Sequence, residues 1–272
     1  MKLSMMSYTM ARGEWGQEHD AAELCRLTRE LGLDAIDWVT TYGMAPAEVK
    51  LITDDFGITN CCYTFFASLQ SPNPAERRAG IDQVKEGFDA ATALGADKIM
   101  LPLAGHSDIP REETRRHALE ALAEAVALGA EYGIAVTVEH FPGASSPFVI
   151  SADMNVAIAA VPGLKITYDN GNILTGGEDP ADGFRRSAEN IIHAHFKDFE
   201  LAEDGLLGLD GRHYKGALVG EGIVDPWPCL QAMAECGYGG YINFEYEGNK
   251  YTPEAAMRKA VPMLQEMIAR LG

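Results

Sequence analysis

The sequence predicts an α/β protein folded as a single (β/α)8 TIM barrel over residues 1–272. The length of 272 residues is close to the roughly 250 residues of such a barrel. An apolar content of 47% excludes a disordered chain. Strand-like runs alternate with helical stretches eight times, which predicts a parallel sheet with helices outside. The alternative, an open doubly wound sheet, needs a glycine-rich phosphate turn early in the chain, and residues 11–15 do not supply one.

Six predicted strands follow a glycine that ends a helical stretch. Glycine adopts the left-handed backbone conformation of a helix cap at little cost, so these positions mark helix ends. They are Gly32, Gly57, Gly95, Gly133, Gly163 and Gly237. With the N-terminal run and the run after residue 190, the predicted strands are residues 2–10, 35–39, 59–63, 98–101, 135–138, 165–168, 191–199 and 241–244.

Four helices begin with a capping side chain followed by proline, which fits the first helical position. These pairs are Asn73-Pro74, Asp179-Pro180, Asp225-Pro226 and Thr252-Pro253. The predicted helices are residues 20–31, 46–56, 75–94, 112–132, 152–160, 180–190, 226–236 and 253–270. Pro262 predicts a kink or a split in the last one. The longest irregular segment, residues 200–223, is predicted to be a functional or mobile loop.

The charge of the chain argues against several classes of partner. With 22 basic and 40 acidic residues the net charge is −18, which repels nucleic acids and anionic membranes. No apolar run approaches the 18 or more residues of a membrane span, and the N-terminus lacks the pattern of a signal peptide. The five cysteines form an odd set in a chain large enough to need no disulfides. We therefore expect a cytoplasmic protein.

Ionisable residues stand at the ends of four successive predicted strands. The carboxyl ends of barrel strands carry the active site in this architecture. Three buried carboxylates without a counter-charge would be very costly, and a divalent cation removes that cost. A set of three carboxylates and one imidazole suits Mn²⁺, Mg²⁺ or Co²⁺. The sequence thus predicts a metal centre at the ends of these four strands.

The ordered motifs of the chain resemble the xylose-isomerase-like barrel superfamily of sugar isomerases and epimerases. This superfamily includes ketose 3-epimerases, hydroxypyruvate isomerases and inosose dehydratases. The resemblance covers nearly the whole chain, and no motif is decisive alone. The matching segments are residues 138–140, 168–172, 193–198, 211–213, 220–225 and 237–245.

The resemblance implies a role for each member of the predicted centre. Glu139, Asp169, His195 and Glu245 would bind one divalent cation, Mn²⁺ foremost, with Mg²⁺, Co²⁺ or Zn²⁺ as alternatives. Glu139 and Glu245 would also act as the acid/base pair.

Two other histidines are expected to be structural. His193 lies deeper on the same strand face as His195, and the side chain of His140 points to the opposite face from that of Glu139.

Four further residues are candidates for substrate binding. Arg212 matches an arginine that contacts substrate in the epimerases, and His106 lies where family members contact substrate. Lys197 lies near the mouth on the same face as His195; it would either hold a substrate oxygen or pair with a nearby carboxylate. Asn172 stands where the family often has a substrate-contacting histidine. A second glutamate of the ketose epimerases is replaced here by Ser145, and both departures weaken the case for a ketose epimerase.

These expectations favour a metal-dependent isomerase or epimerase. Its substrate would be an α-hydroxy-carbonyl sugar or keto-polyol, and its reaction a proton transfer through a metal-bound enediolate. The alternative is a lyase on the same scaffold, either like inosose dehydratase or cleaving C-glycosides of keto-sugars. A phosphodiesterase like the abasic-site endonucleases is disfavoured, because it needs three metals and further histidines, and the net charge opposes DNA. The resemblance implies a small-molecule partner and allows a homo-oligomer.

Overall fold

The structure, a computed structural model that describes residues 1–106 and 108–271, confirms the predicted barrel. Eight parallel strands close into a ring in the order β1-β2-β3-β4-β5-β6-β7-β10, and β8 pairs only with β9. The strands are β1 (Lys2–Met6), β2 (Ala35–Val39), β3 (Thr59–Thr64), β4 (Lys98–Leu101), β5 (Ala135–Glu139), β6 (Lys165–Asp169), β7 (Ile191–Phe196), β8 (Asp198–Leu207), β9 (His213–Ala217) and β10 (Tyr241–Phe244).

Helices occupy the outside of the ring, and the four predicted proline starts are all present. The capping side chains Asn73, Asp179, Asp225 and Thr252 each accept a hydrogen bond from a backbone N–H of the first turn. The helices are α1 (Ser7–Ala11), α2 (Trp15–Glu18), α3 (Ala21–Glu30), α4 (Pro46–Asp55), α5 (Pro74–Leu94), α6 (Arg111–Tyr132), α7 (Ser151–Ala160), α8 (Asn170–Leu174), α9 (Pro180–Ser187), α10 (Pro226–Glu235) and α11 (Pro253–Ala269).

The main core lies between the barrel strands and the longer helices. Trp38, Tyr168 and Phe244 bring large buried side chains from the strands, and Phe88 and Phe184 bring theirs from α5 and α9. No helix in the described part of the chain is long and apolar enough to cross a membrane.

Helix α11 continues through Pro262, so the alternative of a split helix was wrong. Proline removes one backbone hydrogen bond from a helix. Here the neighbouring apolar side chains Met257, Val261 and Leu264 are fully buried, and this packing holds the helix together across the proline.

Two predicted strands end earlier than expected, and the predicted irregular loop is largely a hairpin. The first strand ends at Met6, because the chain turns into α1. The seventh barrel strand ends at Phe196, and β8 and β9 then form an antiparallel hairpin with Asp198 opposite Ala217. Most side chains of the hairpin are exposed. It therefore lacks the regular apolar alternation by which a strand is predicted from sequence.

Asp198 fixes the segment that returns from the hairpin to α10. Its Oδ2 accepts hydrogen bonds from the backbone N–H groups of Gly220 and Gly222, at 3.0 and 2.9 Å. Its Oδ1 accepts another from Val224, at 2.8 Å. One buried side chain thus supplies the acceptors for three amides of a segment without regular structure, and buried amides are costly to leave unpaired.

Replacing Asp198 by alanine should lower the free energy of unfolding by at least about 2 kcal/mol, because the three amides lose their acceptor. Urea denaturation of both proteins measures this difference. Asp204→Ala is the matched control, since Asp204 lies on the same strand, is exposed, and pairs only with the exposed Lys215. It should change stability by less than about 0.5 kcal/mol. Equal effects of the two substitutions would contradict the role given to Asp198.

Candidate metal centre and active site

The four predicted metal ligands meet at the carboxyl end of the barrel. Glu139 and Asp169 are the last residues of β5 and β6, His195 lies in β7, and Glu245 directly follows β10. All four side chains are buried. Each contributes one possible ligand atom, and these atoms lie within 4.8 Å of one another. The Nδ1 atom of His195 is 2.7 Å from Glu139 Oε1 and 3.8 Å from Glu245 Oε2.

The register of the parallel strands brings these residues together. Strands β5, β6, β7 and β10 are consecutive in the ring. Asp169 pairs with His195 across β6 and β7, and Asn243 pairs with His195 across β7 and β10. Because side chains two residues apart on a strand share a face, Glu245 follows Asn243 one step closer to the mouth.

The four groups strongly perturb one another. Burial raises the pKa of Asp169 well above its usual value and that of Glu245 to about 7. Burial acts in the same direction on Glu139, but the hydrogen bond with His195 and the positive charges of His195 and Lys197 together outweigh burial, and the pKa of Glu139 falls. For His195, burial lowers the pKa, while the hydrogen bonds to Asp37 and Glu139 and the charges of these two carboxylates together raise it well above the usual value.

The donor set fits a divalent cation. Three carboxylates and one imidazole are suitable ligands for Mn²⁺, Co²⁺ or Zn²⁺. The fully buried Asp169 Oδ2 makes no hydrogen bond among the described residues, and the Lys197 Nζ atom lies 3.6 Å away. A buried oxygen of this kind is costly unless a cation binds it. Glu139, Asp169, His195 and Glu245 are therefore the residues that can hold the ion.

A fifth buried group, Asp37 of β2, lies beneath this set and was missed from the sequence. Its Oδ2 is 3.1 Å from His195 Nε2 and 2.9 Å from His193 Nε2, and it accepts a hydrogen bond from Asn243 Nδ2 at 2.9 Å. Its Oδ1 accepts one from Thr64 at 3.0 Å. Burial opposes ionisation, but the two histidine hydrogen bonds hold the pKa of Asp37 well below its usual range. The expectation that His193 is a hydrogen-bonded core residue is confirmed.

Asp37 orients the histidine of the centre. The Nε2–H of His195 donates to Asp37, so loss of the Nδ1 proton would leave a lone pair on the side of Glu139 and Glu245. A carboxylate behind a ligating histidine sets its tautomer and ring orientation in many metal sites. The signal that could have found Asp37 is an acidic residue inside the otherwise apolar strand of residues 35–39.

A cavity of about 280 Å³ opens above the centre. The ionisable residues that line it are Glu139, Lys197, Glu245, Glu247 and Tyr8. Its other walls are mostly apolar and come from Met6, Val39, Thr64, Phe66, Met100, Pro102, Phe141 and Pro142. A small site with apolar walls and a few convergent polar groups is typical of small-molecule binding.

The sequence left two roles open for Lys197, a contact with a substrate oxygen or an ion pair with a nearby carboxylate, and the structure shows the ion pair. Its buried Nζ lies 2.9 Å from Glu245 Oε2, 3.3 Å from Glu247 Oε2 and 3.6 Å from Asp169 Oδ2. Because Lys197 also lines the cavity, contact with a substrate oxygen stays a prediction. Glu247, two residues after Glu245, was not assigned a role from the sequence although it lies on the same face of the chain.

The other three predicted substrate contacts are not brought into the cavity lining of the described residues. His106 lies after β4, and its Nδ1 accepts a hydrogen bond from the Asp108 amide at 3.4 Å. Arg212 lies in the hairpin turn, half-exposed, and donates to Asp210 Oδ2 at 2.6 Å. Asn172 is fully buried in α8. Substrate contacts by these three residues remain predictions.

Comparison with known proteins agrees with this geometry. The family model described as the xylose isomerase-like TIM barrel matches residues 25–267. The chain belongs to this family. The similarity that the sequence motifs indicated is therefore confirmed, and it extends over most of the barrel.

Individual relatives carry different activities. An inosose dehydratase of Lacticaseibacillus casei is 27% identical in an alignment 179 positions long that covers 58% of this chain and 60% of the dehydratase. The L-ribulose-5-phosphate 3-epimerase UlaE of Shigella boydii is 26% identical in an alignment 211 positions long that covers 75% of this chain and 69% of the epimerase. The crystal structure of the IOLI protein with a bound zinc atom superposes with a TM-score of 0.82 and 17% identity, covering 100% of this chain and 99% of the other. That last likeness shows a shared fold.

Purified protein should hold about one divalent ion per chain, removable by a chelator, because four buried ligand groups converge on one point. The double variant Asp169→Ala, His195→Ala should lose that ion, as measured by elemental analysis. A variant with Asp204→Ala and His213→Ala on the exposed hairpin removes the same residue types and should keep it. Stoichiometric metal in the first variant would reject the assigned site.

Asp37→Asn should weaken metal binding by roughly 10- to 100-fold, since the charge that orients His195 is lost. Calorimetric titration measures the affinity, and ¹⁵N NMR of the imidazoles measures the fraction of the Nε2–H tautomer, which should fall. Asp153→Asn is the control, because Asp153 is a buried carboxylate of α7 that pairs with Arg111 and Arg115 and is not one of the residues of the centre. If both variants leave affinity and tautomer unchanged, Asp37 has only a packing role.

Proposed function

We propose that the chain is a divalent-metal-dependent enzyme that moves a proton next to a carbonyl of a sugar or keto-polyol. The observation that carries the proposal is the placement of two buried carboxylates, Glu139 and Glu245, in the lining of one cavity. They come from β5 and β10, which are separated in the ring by β6 and β7. They therefore face a bound molecule from different sides.

Each residue of the centre has a role in this proposal. Glu139, Asp169, His195 and Glu245 would hold the cation. When bound, the cation supplies Lewis acidity to a carbonyl and a neighbouring hydroxyl, which makes the C–H bond between them more acidic. One of the two glutamates removes that proton, and the other delivers a proton on a different side of the substrate. Delivery to the opposite face gives an epimer, and delivery to the adjacent carbon gives an isomer.

The cavity supports a substrate of monosaccharide size. Its volume of about 280 Å³ is at the small end of ligand sites, which commonly measure roughly 300–1,000 Å³. Phe66 and Phe141 offer apolar surface to the C–H groups of a sugar ring, while Glu247 and Tyr8 offer hydrogen-bonding groups to its hydroxyls. Burial of the centre excludes water from the reacting atoms.

A lyase is the second candidate, because proton removal is also the first step of dehydration. The buried ammonium of Lys197 lies 2.9 Å from Glu245 Oε2 and lines the cavity. It can donate a hydrogen bond to a hydroxyl that leaves from the adjacent carbon, while the second glutamate supplies the proton that the leaving hydroxyl needs. The similarity to an inosose dehydratase supports this candidate, as the similarity to a 3-epimerase supports the first.

Replacing Glu139 or Glu245 by glutamine should reduce turnover by at least roughly 10²–10⁴-fold, since a ligand oxygen is kept while the base is lost. Turnover is followed by NMR in D₂O with metal-loaded enzyme and a panel of ketoses, aldoses and keto-inositols. One variant should still exchange the substrate C–H for deuterium without completing the reaction, and the other should not. The control is Glu131→Gln at the exposed end of α6.

The same spectra separate the candidates. An epimer or isomer carrying solvent deuterium supports the first candidate, and loss of water from the substrate supports the lyase. If both glutamine variants exchange the C–H at the wild-type rate, proton transfer by this pair is wrong. The abstracted proton can exchange with solvent if its return to the substrate is slow. A product that lacks deuterium under those conditions would favour a hydride shift between neighbouring carbons instead.

A further inference from the structure

The charges around the cavity leave an excess of negative charge. Glu139, Glu245 and Glu247 line it, and Asp169 lies beside them. Lys197 is the only cationic side chain in the lining among the residues that the structure describes, and no arginine occurs there. Even with a divalent cation bound, the four carboxylates outnumber the positive charges by one. A ligand entering this site meets a field that disfavours anions.

Lys197 has little capacity left for an anionic ligand. Its Nζ is held between Glu245 Oε2 at 2.9 Å, Glu247 Oε2 at 3.3 Å and Asp169 Oδ2 at 3.6 Å. The side chain is buried, so it cannot turn away from these partners into solvent. To bind this ammonium, a phosphate group would have to displace Glu247. The side chain of Glu247 is 30% exposed and is the outermost of the three carboxylates.

Basic side chains beyond Glu247 are already engaged. Arg12 Nη1 donates hydrogen bonds to the backbone carbonyls of Tyr246 and Gly248, at 3.0 and 3.3 Å. Glu247 also lines a neighbouring cleft of about 320 Å³. That cleft contains Lys215 and Lys250, but Lys215 pairs with Asp204 at 2.5 Å and Lys250 pairs with Glu221 at 2.6 Å. Glu200 and Glu221 add further negative charge to the same walls. Both spaces that adjoin Glu247 therefore present paired cations and carboxylates.

We propose that Glu247 is a specificity-determining residue that restricts the site to uncharged sugars or polyols and rejects their phosphate esters. Its carboxylate accepts hydrogen bonds from ligand hydroxyls and occupies the outer side of Lys197. A dianionic phosphate placed within a few ångströms is repelled, and the lining ammonium of Lys197 is already paired. The inference deepens the proposed function, on which it rests for the class of substrate.

The test compares binding of D-fructose with D-fructose 6-phosphate, and of D-ribulose with D-ribulose 5-phosphate, by calorimetry on the metal-loaded protein. The wild type should bind each uncharged sugar at least about 10-fold more tightly than its ester. Glu247→Gln should narrow that ratio by about 10-fold, and Glu247→Lys should invert it. Glu131→Gln removes the same charge from the surface at the opposite end of the barrel and should leave the ratio unchanged. Thermal melting confirms that each variant is folded.

Because the measurement is of binding, it separates this inference from the proposed reaction. Selective binding without any C–H exchange in D₂O would reject proton transfer and leave the role of Glu247 intact. Three results would overturn that role: tighter binding of the esters by the wild type, the same ratio in wild type, Glu247→Gln and Glu247→Lys, or no binding of either uncharged sugar.

Discussion

The burial of four carboxylates at one end of a parallel barrel is the constraint on which the rest of the site depends. Glu139, Asp169 and Glu245 lie on adjacent strands around His195, and Asp37 lies beneath it. Groups of like charge in a low-dielectric interior cannot all ionise without compensation. His195 and Lys197 supply part of the compensating positive charge. A divalent cation is the further source of positive charge that this donor set accommodates.

The layers of the site follow from that constraint. Asp37 is satisfied entirely by protein donors, so it serves to orient His195 and not to bind a ligand. The next layer consists of the ligand carboxylates, of which Asp169 Oδ2 and Glu245 Oε2 make no hydrogen bond among the described residues. The outer layer is the Lys197–Glu247 pair, to which we assign the selection of uncharged ligands. The proposed roles in positioning, chemistry and selectivity therefore follow one another from the barrel interior to its mouth.

The hairpin of β8 and β9 is a separate addition to the barrel. Its two strands form a sheet apart from the barrel, and Asp198 at its base holds the chain that leads back to α10. Loops at this end of a barrel carry the variation that adapts one scaffold to many substrates. The similarity of this chain to both a dehydratase and an epimerase is consistent with a shared centre and divergent loops.

The sequence by itself determined the barrel and the four residues of the centre. Helix caps are specified by residues that are neighbours in the chain. An ionisable residue at the carboxyl end of a strand lies at the mouth of the barrel whatever the register of the neighbouring strand. Only the tertiary structure decided what Asp37, Lys197 and Glu247 contact, and where Arg212 and His106 lie. Those contacts join strands or loops far apart in the chain, and their distances depend on strand register and side-chain packing. Local patterns carry no information about either, because both arise only when the ring closes.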